Sequence, residues 1–411
     1  MPARPRIAEP GGLLHYGLMH DVIVVGARCA GSPLAMLLAR RGYRTLLVDR
    51  ATFPSDTVST HVIHPPGVAA LQRWGLLDHV VATGCPPVGR YSFDFGPLTL
   101  AGAPGTTDSP YAYAPRRQLL DKILLDAAAR AGAEVREGFS VEEVLVEDGV
   151  VTGVRGGHGQ VERARVVIGA DGRNSVVAKA VQAQAYEDVP ALTVGYYSYW
   201  SNLPTDTFEA YSRPGRGWAV CPTNDDLTLV IGGWPHAELA AHRDDVEGEL
   251  MRTFELAPAF AERIRDAKRV EKLAGSSVPN YFRVPYGPGW ALVGDAGYSR
   301  DFITAQGITD AFLDAEELAG ALDAALGGSA PYGDALAGYQ ARRDARAMPV
   351  YQMTLGIASL QPPDEQMIQL VSAIAGNQPG MDAFARLNAG VTAPVEFFAP
   401  ENVARLVGGV P

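Results

Sequence analysis

The sequence predicts a mixed α/β protein, with a mostly parallel sheet, a separate antiparallel sheet and a helical C-terminal region. Three observations predict it. First, the apolar run Asp21–Gly26 (DVIVVG) passes through a Gly-bearing turn into Ala30–Arg41. That segment has helical spacing at Leu34, Leu37 and Leu38, and a second apolar run, Thr45–Asp49, follows. Strand, helix and strand in that order make a crossover unit, which needs a parallel sheet. Second, two more strand-length apolar runs, Arg165–Ala170 (RVVIGA) and Trp290–Gly294 (WALVG), lie far downstream and run into Asp171 and Asp295. Third, between them lies a stretch rich in Tyr, Trp, Thr and Val. Its runs Leu192–Trp200, Thr207–Tyr211, Gly217–Cys221 and Leu227–Gly232 read as antiparallel strands.

The remaining elements follow in order. Residues 50–67 read as a loop rich in Ser, Thr, Pro and His, and Val68–Leu77 as a short helix. Residues 88–114 read as strands and turns, and Gln118–Ala131 as an amphipathic helix ended by Gly132. Val141–Glu147 and Val150–Arg155 read as a hairpin turning at Asp148-Gly149. A helical stretch spans about 237–266, and Ile308–Leu326 is a long helix. Beyond Gly327 the chain reads as mostly helical, broken at Pro349, Pro362-Pro363 and Pro379.

Composition bounds the function. The chain has 411 residues, 47% apolar and 20% charged, which is a globular rather than a disordered balance. Its net charge of −11 repels phosphate backbones, so nucleic acid is not an expected partner. No apolar run is long enough to cross a bilayer, and the first twenty residues lack the apolar core of a secretory signal. Cys29, Cys85 and Cys221 are an odd set without metal-ligand spacing, which fits reduced thiols in a cytoplasmic protein. No metal site is expected.

The turn Gly26-Ala27-Arg28-Cys29-Ala30-Gly31 joins a strand to a helix, where free backbone N–H groups suit a pyrophosphate. Gly26 permits the turn and Gly31 the close packing of helix on sheet, whereas Arg28 stands where the usual fingerprint has its middle glycine. That arginine either contacts phosphate or lies over the cofactor. Asp49 closes the second strand near the ~20-residue offset expected of a carboxylate that holds ribose hydroxyls; Arg50 follows it. Alone, this turn is also compatible with an ordinary Gly-rich connection.

Together with RVVIGADG at 165–172 and WALVGDA at 290–296, the turn resembles that of the para-hydroxybenzoate hydroxylase-like superfamily, the group A flavin monooxygenases. Geranylgeranyl reductases and flavin-dependent halogenases share this scaffold. The resemblance covers about 20–330 and implies a Rossmann-like domain that binds FAD, with NAD(P)H as reductant. It places Gly26–Gly31 at the pyrophosphate, Asp49 at the adenosine ribose and Arg117 near the phosphates. Asp171 matches an Asp-Gly motif associated with FAD and NAD(P)H, and Gly294-Asp295 the acid at the ribityl chain. Gln306, Gly307 and Ile308 start a helix whose dipole suits the negative charge of a reduced flavin. The implied layout is a flexible extension over 1–18, an FAD-binding domain over 19–184 and 289–330, a substrate domain over 185–288 and a helical region over 331–411.

The implied reaction inserts one oxygen atom from O₂, through a flavin C4a-hydroperoxide, into an aromatic or polyketide-like molecule. Where the family carries a histidine and a pair of prolines, this chain has Tyr298, Asp301 and Phe302; with Arg300 these are the candidate catalytic loop beside the flavin. Candidates for the substrate wall are Tyr197, Tyr199, Tyr211, Trp218 and Trp234, against the alternative that they pack a second sheet. His61 and His64 lie in the loop that in relatives runs toward the flavin; a donor to flavin or substrate and a plain capping residue both fit His61. The altered loop also admits two rival functions: a geranylgeranyl-reductase-like reductase of isoprenoid double bonds, and a flavoprotein that binds FAD or a ligand without turnover. The substrate, the nicotinamide form and the oligomeric state are not specified by the sequence.

Overall fold

The computed structural model describes residues 19–408, so the N-terminal extension expected over 1–18 lies outside the described residues. Five parallel strands form the centre of an eight-stranded first sheet, in the spatial order Glu134–Arg136, Thr45–Val48, His20–Val25, Val161–Gly169, Trp290–Leu292. Numbered along the chain this order is three, two, one, four, five, which is the Rossmann winding. The strands alternate faces. Val22, Val24, Leu47, Val166 and Ile168 pack under the helices Gly31–Arg40, Arg117–Arg130 and Gly307–Leu326, while Ile23, Val25, Leu46, Val48 and Val167 meet Phe139, Val144, Val154 and Val177. Both faces are buried, which explains why these strands read as continuous apolar runs.

The second sheet runs Lys268–Arg269, Thr193–Ser201, Thr228–Pro235, Arg216–Pro222, Phe208–Arg213, Tyr91–Asp94, Thr99–Gly102. Its last two strands come from well before residue 185, and Tyr91–Asp94 joins parallel to Phe208–Arg213. The segment before 185 thus contributes to both sheets. One face of this sheet is covered by the helices Val246–Phe254 and Pro258–Arg265. The other is faced by the C-terminal helices, through Val371, Phe384 and Leu387. A small third sheet joins Ala185–Val189, Asn280–Arg283 and Tyr298–Ser299.

One expectation about proline is corrected. Pro349 does not break the C-terminal region but sits inside one long helix, Tyr332–Ala358, whereas the break expected at Pro379 falls just before it, with Pro379 in the first turn of Gln378–Asn388. Tertiary contacts hold the long helix across the missing N–H. The Tyr339 hydroxyl donates to the Leu292 carbonyl (3.1 Å), and the fully buried Arg343 donates to the carbonyls of Gly297 (3.2 Å) and Arg283 (3.0 Å). Further along, Met353 and Ile357 reach the second sheet's cavity. Among the described residues no helix is long and apolar enough to cross a membrane.

Candidate active site

Three sequence segments meet at the carboxyl ends of the parallel strands, where strand order reverses, the position that such sheets reserve for ligands. Gly26 has φ +104° and lies against Ala170 and Asp171, while Gly294 lies against Ala30. The turn is tied down by Gly26 N–H donating to Val48 (2.8 Å) and Ala27 N–H donating to the Asp49 carboxylate (2.7 Å). The other Asp49 oxygen accepts from Ala51 N–H (2.8 Å). Arg50 is exposed. Helix Gly31–Arg40 begins at Ala30 without a side-chain cap, leaving its N-terminus toward the crevice.

Arg28 leaves the backbone turn and reaches Asp121 (2.6 Å) and the Ser55 hydroxyl (2.9 Å), with Phe53 under its guanidinium. Arg117 binds the same carboxylate with both its Nε (3.1 Å) and Nη2 (3.0 Å). The Cys29 thiol donates to it as well (3.4 Å). Asp121 is completely buried, so two cations and one anion leave a net positive charge beside the turn, of the sign a pyrophosphate needs. Sequence reading missed Asp121; the signal was its place four residues after Arg117 on one helix. Burial pushes the Cys29 thiol far above its usual range, so it is a packing residue.

The other two segments carry acceptors that the protein leaves free, one buried at Asp171 and one open to solvent at Asp295. One Asp171 oxygen accepts from Val176 N–H (2.7 Å), and the other is buried with no partner. Asp295 is surrounded by protein yet keeps an open carboxylate that accepts no hydrogen bond from the described residues, as on the wall of a deep cleft. Burial raises the pKa of both acids. Gly307 is exposed at the start of its helix, with Ile308 buried behind it. The Gln306 amide instead donates to Asn388 O (2.8 Å). Open acceptors, an uncapped helix start and a net cation along one crevice fit a dinucleotide of the FAD type.

The loop after Asp295 divides in two. Tyr298 stacks on Phe282 (ring centroids 4.4 Å apart), and Arg300 pairs with Asp310 (2.6 Å) behind the helix that Gly307 starts. Asp301 accepts from Thr193 Oγ1 (2.6 Å) and from Ile303 N–H (3.0 Å), which caps the short turn Phe302–Thr304. None of these three lines the cavity described next, because each is bound to the scaffold; Phe302 does. Its ring lies where Gly195 has no side chain, so a Cβ at that glycine would overlap it.

A cavity of about 970 Å³ lies between the second sheet and the C-terminal helices, and Phe302–Ala305 forms part of its wall. Its walls are the inward residues of the strands, such as Phe208, Ala219, Leu229 and Ile231, and the apolar faces of the C-terminal helices. Of the five aromatic candidates, Trp234 does not line it. Its ring stacks on Tyr196 (5.4 Å) on the face covered by helix Val246–Phe254. Tyr211 and Trp218 belong to residues around the cavity, but their rings stack on each other (4.7 Å) and join Phe254 and Phe260 on that same covered face. Tyr197 and Tyr199 point inward but meet His61 rather than the cavity. The second strand period alone did not say which face was which.

The two histidines bridge the parts. His61, with φ +65°, bonds Ser59 O (2.8 Å) through Nδ1, so its Nε2 accepts from the Tyr199 hydroxyl (2.7 Å). His64 bonds Thr304 O (3.1 Å) through Nε2, so its Nδ1 accepts from the Tyr91 hydroxyl (2.6 Å). Burial lowers the pKa to about 3 for His61 and about 4 for His64. Both are neutral at pH 7, and the unfolded chain binds the proton first. Their stabilising effect is therefore full above the unfolded pKa of about 6.5 and is lost as pH falls toward the folded values. For His64 the loss reaches about 2 kcal/mol by pH 5. In His64→Gln, stability from urea unfolding is expected to fall less steeply between pH 7 and 5 than in the wild type; parallel slopes would mean that His64 binds its proton as readily in the folded protein as in the unfolded chain.

Comparison with known proteins agrees with this geometry. The sequence model of the FAD binding domain matches residues 19–354. The chain is 28% identical to the 6-methylpretetramide 4-monooxygenase of Streptomyces rimosus, over 73% of this chain and 74% of that one. It is 29% identical to the menaquinone reductase of Mycolicibacterium smegmatis, over 70% of this chain and 72% of that one. In structure it superposes on a myxobacterial chondrochloren halogenase with a TM-score of 0.77 at 24% identity, covering 96% of this chain and 98% of the other.

Proposed function

Because the chain belongs to the FAD binding domain family and is an FAD-dependent oxidoreductase, we propose that it is a monooxygenase. It inserts one atom of O₂ into an aromatic or polyketide-like small molecule, with NAD(P)H as reductant. The observation that carries the reading is the cavity: a large apolar chamber with Phe302–Ala305 in its wall. That loop follows the cleft acid Asp295 and leads into the helix begun by Gly307. The resemblance of the chain to a 6-methylpretetramide 4-monooxygenase supports the monooxygenase reading.

Bound FAD would supply the redox chemistry and the activation of oxygen. Gly26–Gly31, Asp49 and the Arg28–Asp121–Arg117 cluster would hold its phosphate and ribose end, and Asp171, Asp295 and the start of helix Gly307–Leu326 the remainder. The protein's own contribution is placement. His64 fixes the Thr304 carbonyl, and Asp301 fixes Thr193 and the turn at Phe302. The inner wall of the cavity is thus rigid where the substrate must be oriented, and its apolar lining excludes water.

A second reading, reduction of a substrate double bond, is favoured by Phe302, whose bulk stands where the monooxygenases carry a proline, and by the likeness to a menaquinone reductase. Turnover under labelled O₂ separates the two. The expected result is one labelled oxygen atom per product with one NAD(P)H consumed. A product gaining two hydrogens and no label would establish the reductase instead.

A further inference from the structure

The charge inventory of the cavity goes further than its size. We infer that its ligand is an uncharged, lipophilic molecule of more than one ring, entered end-on from an apolar mouth between the C-terminal helices. The inference rests on the proposed function for the reaction, but its argument is the wall itself.

A substrate anion needs a cation or several free donors at the site, because burying an unpaired carboxylate is prohibitive. Arg213 and Asp364 are the charged side chains among the described lining residues. Arg213 has its charge matched by Asp94, and four of its five N–H donors are already taken. Its Nη2 binds Asp94 (2.8 Å), its Nη1 the Asp94 and Ser212 carbonyls (3.1 and 2.9 Å), and its Nε the Leu256 carbonyl (3.1 Å). Asp364 is exposed and caps the helix Glu365–Ile374 through Met367 N–H (2.8 Å). His64 is neutral, and both its nitrogens are bound.

The long axis is set by which lining residues are covered. His64 and Ala305 are buried at the cofactor end, whereas Ile357, Ile368 and Phe398 also line the cavity yet are 41%, 49% and 38% exposed. These three mark an apolar mouth. A volume of about 970 Å³ is at the upper end of the ~300–1,000 Å³ of small-molecule sites, far more than one ring fills.

The test is calorimetric titration of the FAD-saturated protein with pairs that differ in one property. Naphthol is expected to bind at least ~100-fold more tightly than naphthoate, and phenanthrol at least ~10-fold more tightly than phenol. Ile231→Arg, which puts a cation into the wall, is expected to reverse the first preference. Ala219→Phe is expected to erase the second while leaving phenol binding in place, and serves if the arginine variant does not fold. Naphthoate binding as tightly as naphthol to the wild type, or phenol as tightly as phenanthrol, overturns the inference. The same titrations on cofactor-free protein separate the two claims. A protein that never retains FAD refutes the proposed function, while the ligand preference is still read on the cavity.

Discussion

An Asp121→Ala variant is expected to melt far below the wild type and to be purified with little or no flavin. Asp121 has no solvent contact and holds Arg28, Arg117 and the Cys29 thiol at once. Truncation leaves two guanidinium groups without an anion, one of them itself buried, and breaking such a buried pair costs about 3–5 kcal/mol. The cost falls on the strand–helix turn because Arg28 and Cys29 belong to it. Asp121→Asn keeps the shape and one acceptor, so an intermediate loss is expected. Thermal unfolding and the ratio of flavin to protein absorbance read both effects. A variant that melts like the wild type would mean that water or another acid replaces the carboxylate without cost.

Gly31→Val is expected to have an effect of similar size for a different reason. A Cβ at this position would overlap the Gly26 carbonyl oxygen, which is backbone and has nowhere to go. Helix Gly31–Arg40 must then lift from the sheet and take Leu34, Ala35 and Leu38 out of the core. A loss of ~3 kcal/mol or more follows from such overpacking, with FAD affinity lowered at least ~100-fold because the pyrophosphate cradle opens. Gly307→Ala is the control, since a Cβ there meets nothing within 4 Å. Its stability is expected to be unchanged. Flavin binding intact in Gly31→Val would show that the turn does not carry the phosphates.

The legibility of the molecule follows where backbone geometry dictates residue type. The turn at Gly26 and Gly31, the buried strands before Asp171 and Asp295, and the helix from Gly307 each leave a local mark that no later packing alters. Orientation is different. The strand Thr193–Ser201 carries aromatic side chains on both faces, Tyr196 toward the helices and Tyr197 and Tyr199 toward His61. Alternation names the two faces but not which one meets a cavity. Most of one cavity wall comes from C-terminal helices with no motif, whose apolar residues look like any core face. Asp121 carried a local mark only in Arg117, four residues before it, because its other partner, Arg28, is 93 residues away.

The long helix Tyr332–Ala358 turns these facts into a rule about chain length. Arg343 is pinned beneath the strand end that carries Asp295, and Met353 and Ile357, two to four turns further on, touch the cavity. One residue inserted between the pin and the cavity rotates everything beyond it by roughly 100°. Arg343 would stay, while Met353 and Ile357 would swing off the wall and neighbouring side chains would take their places. Substitutions along this stretch change the lining by a methyl group at a time; a single insertion exchanges an entire face of it. Divergence of ligand preference by indel is thus open to this scaffold with the cofactor crevice left intact.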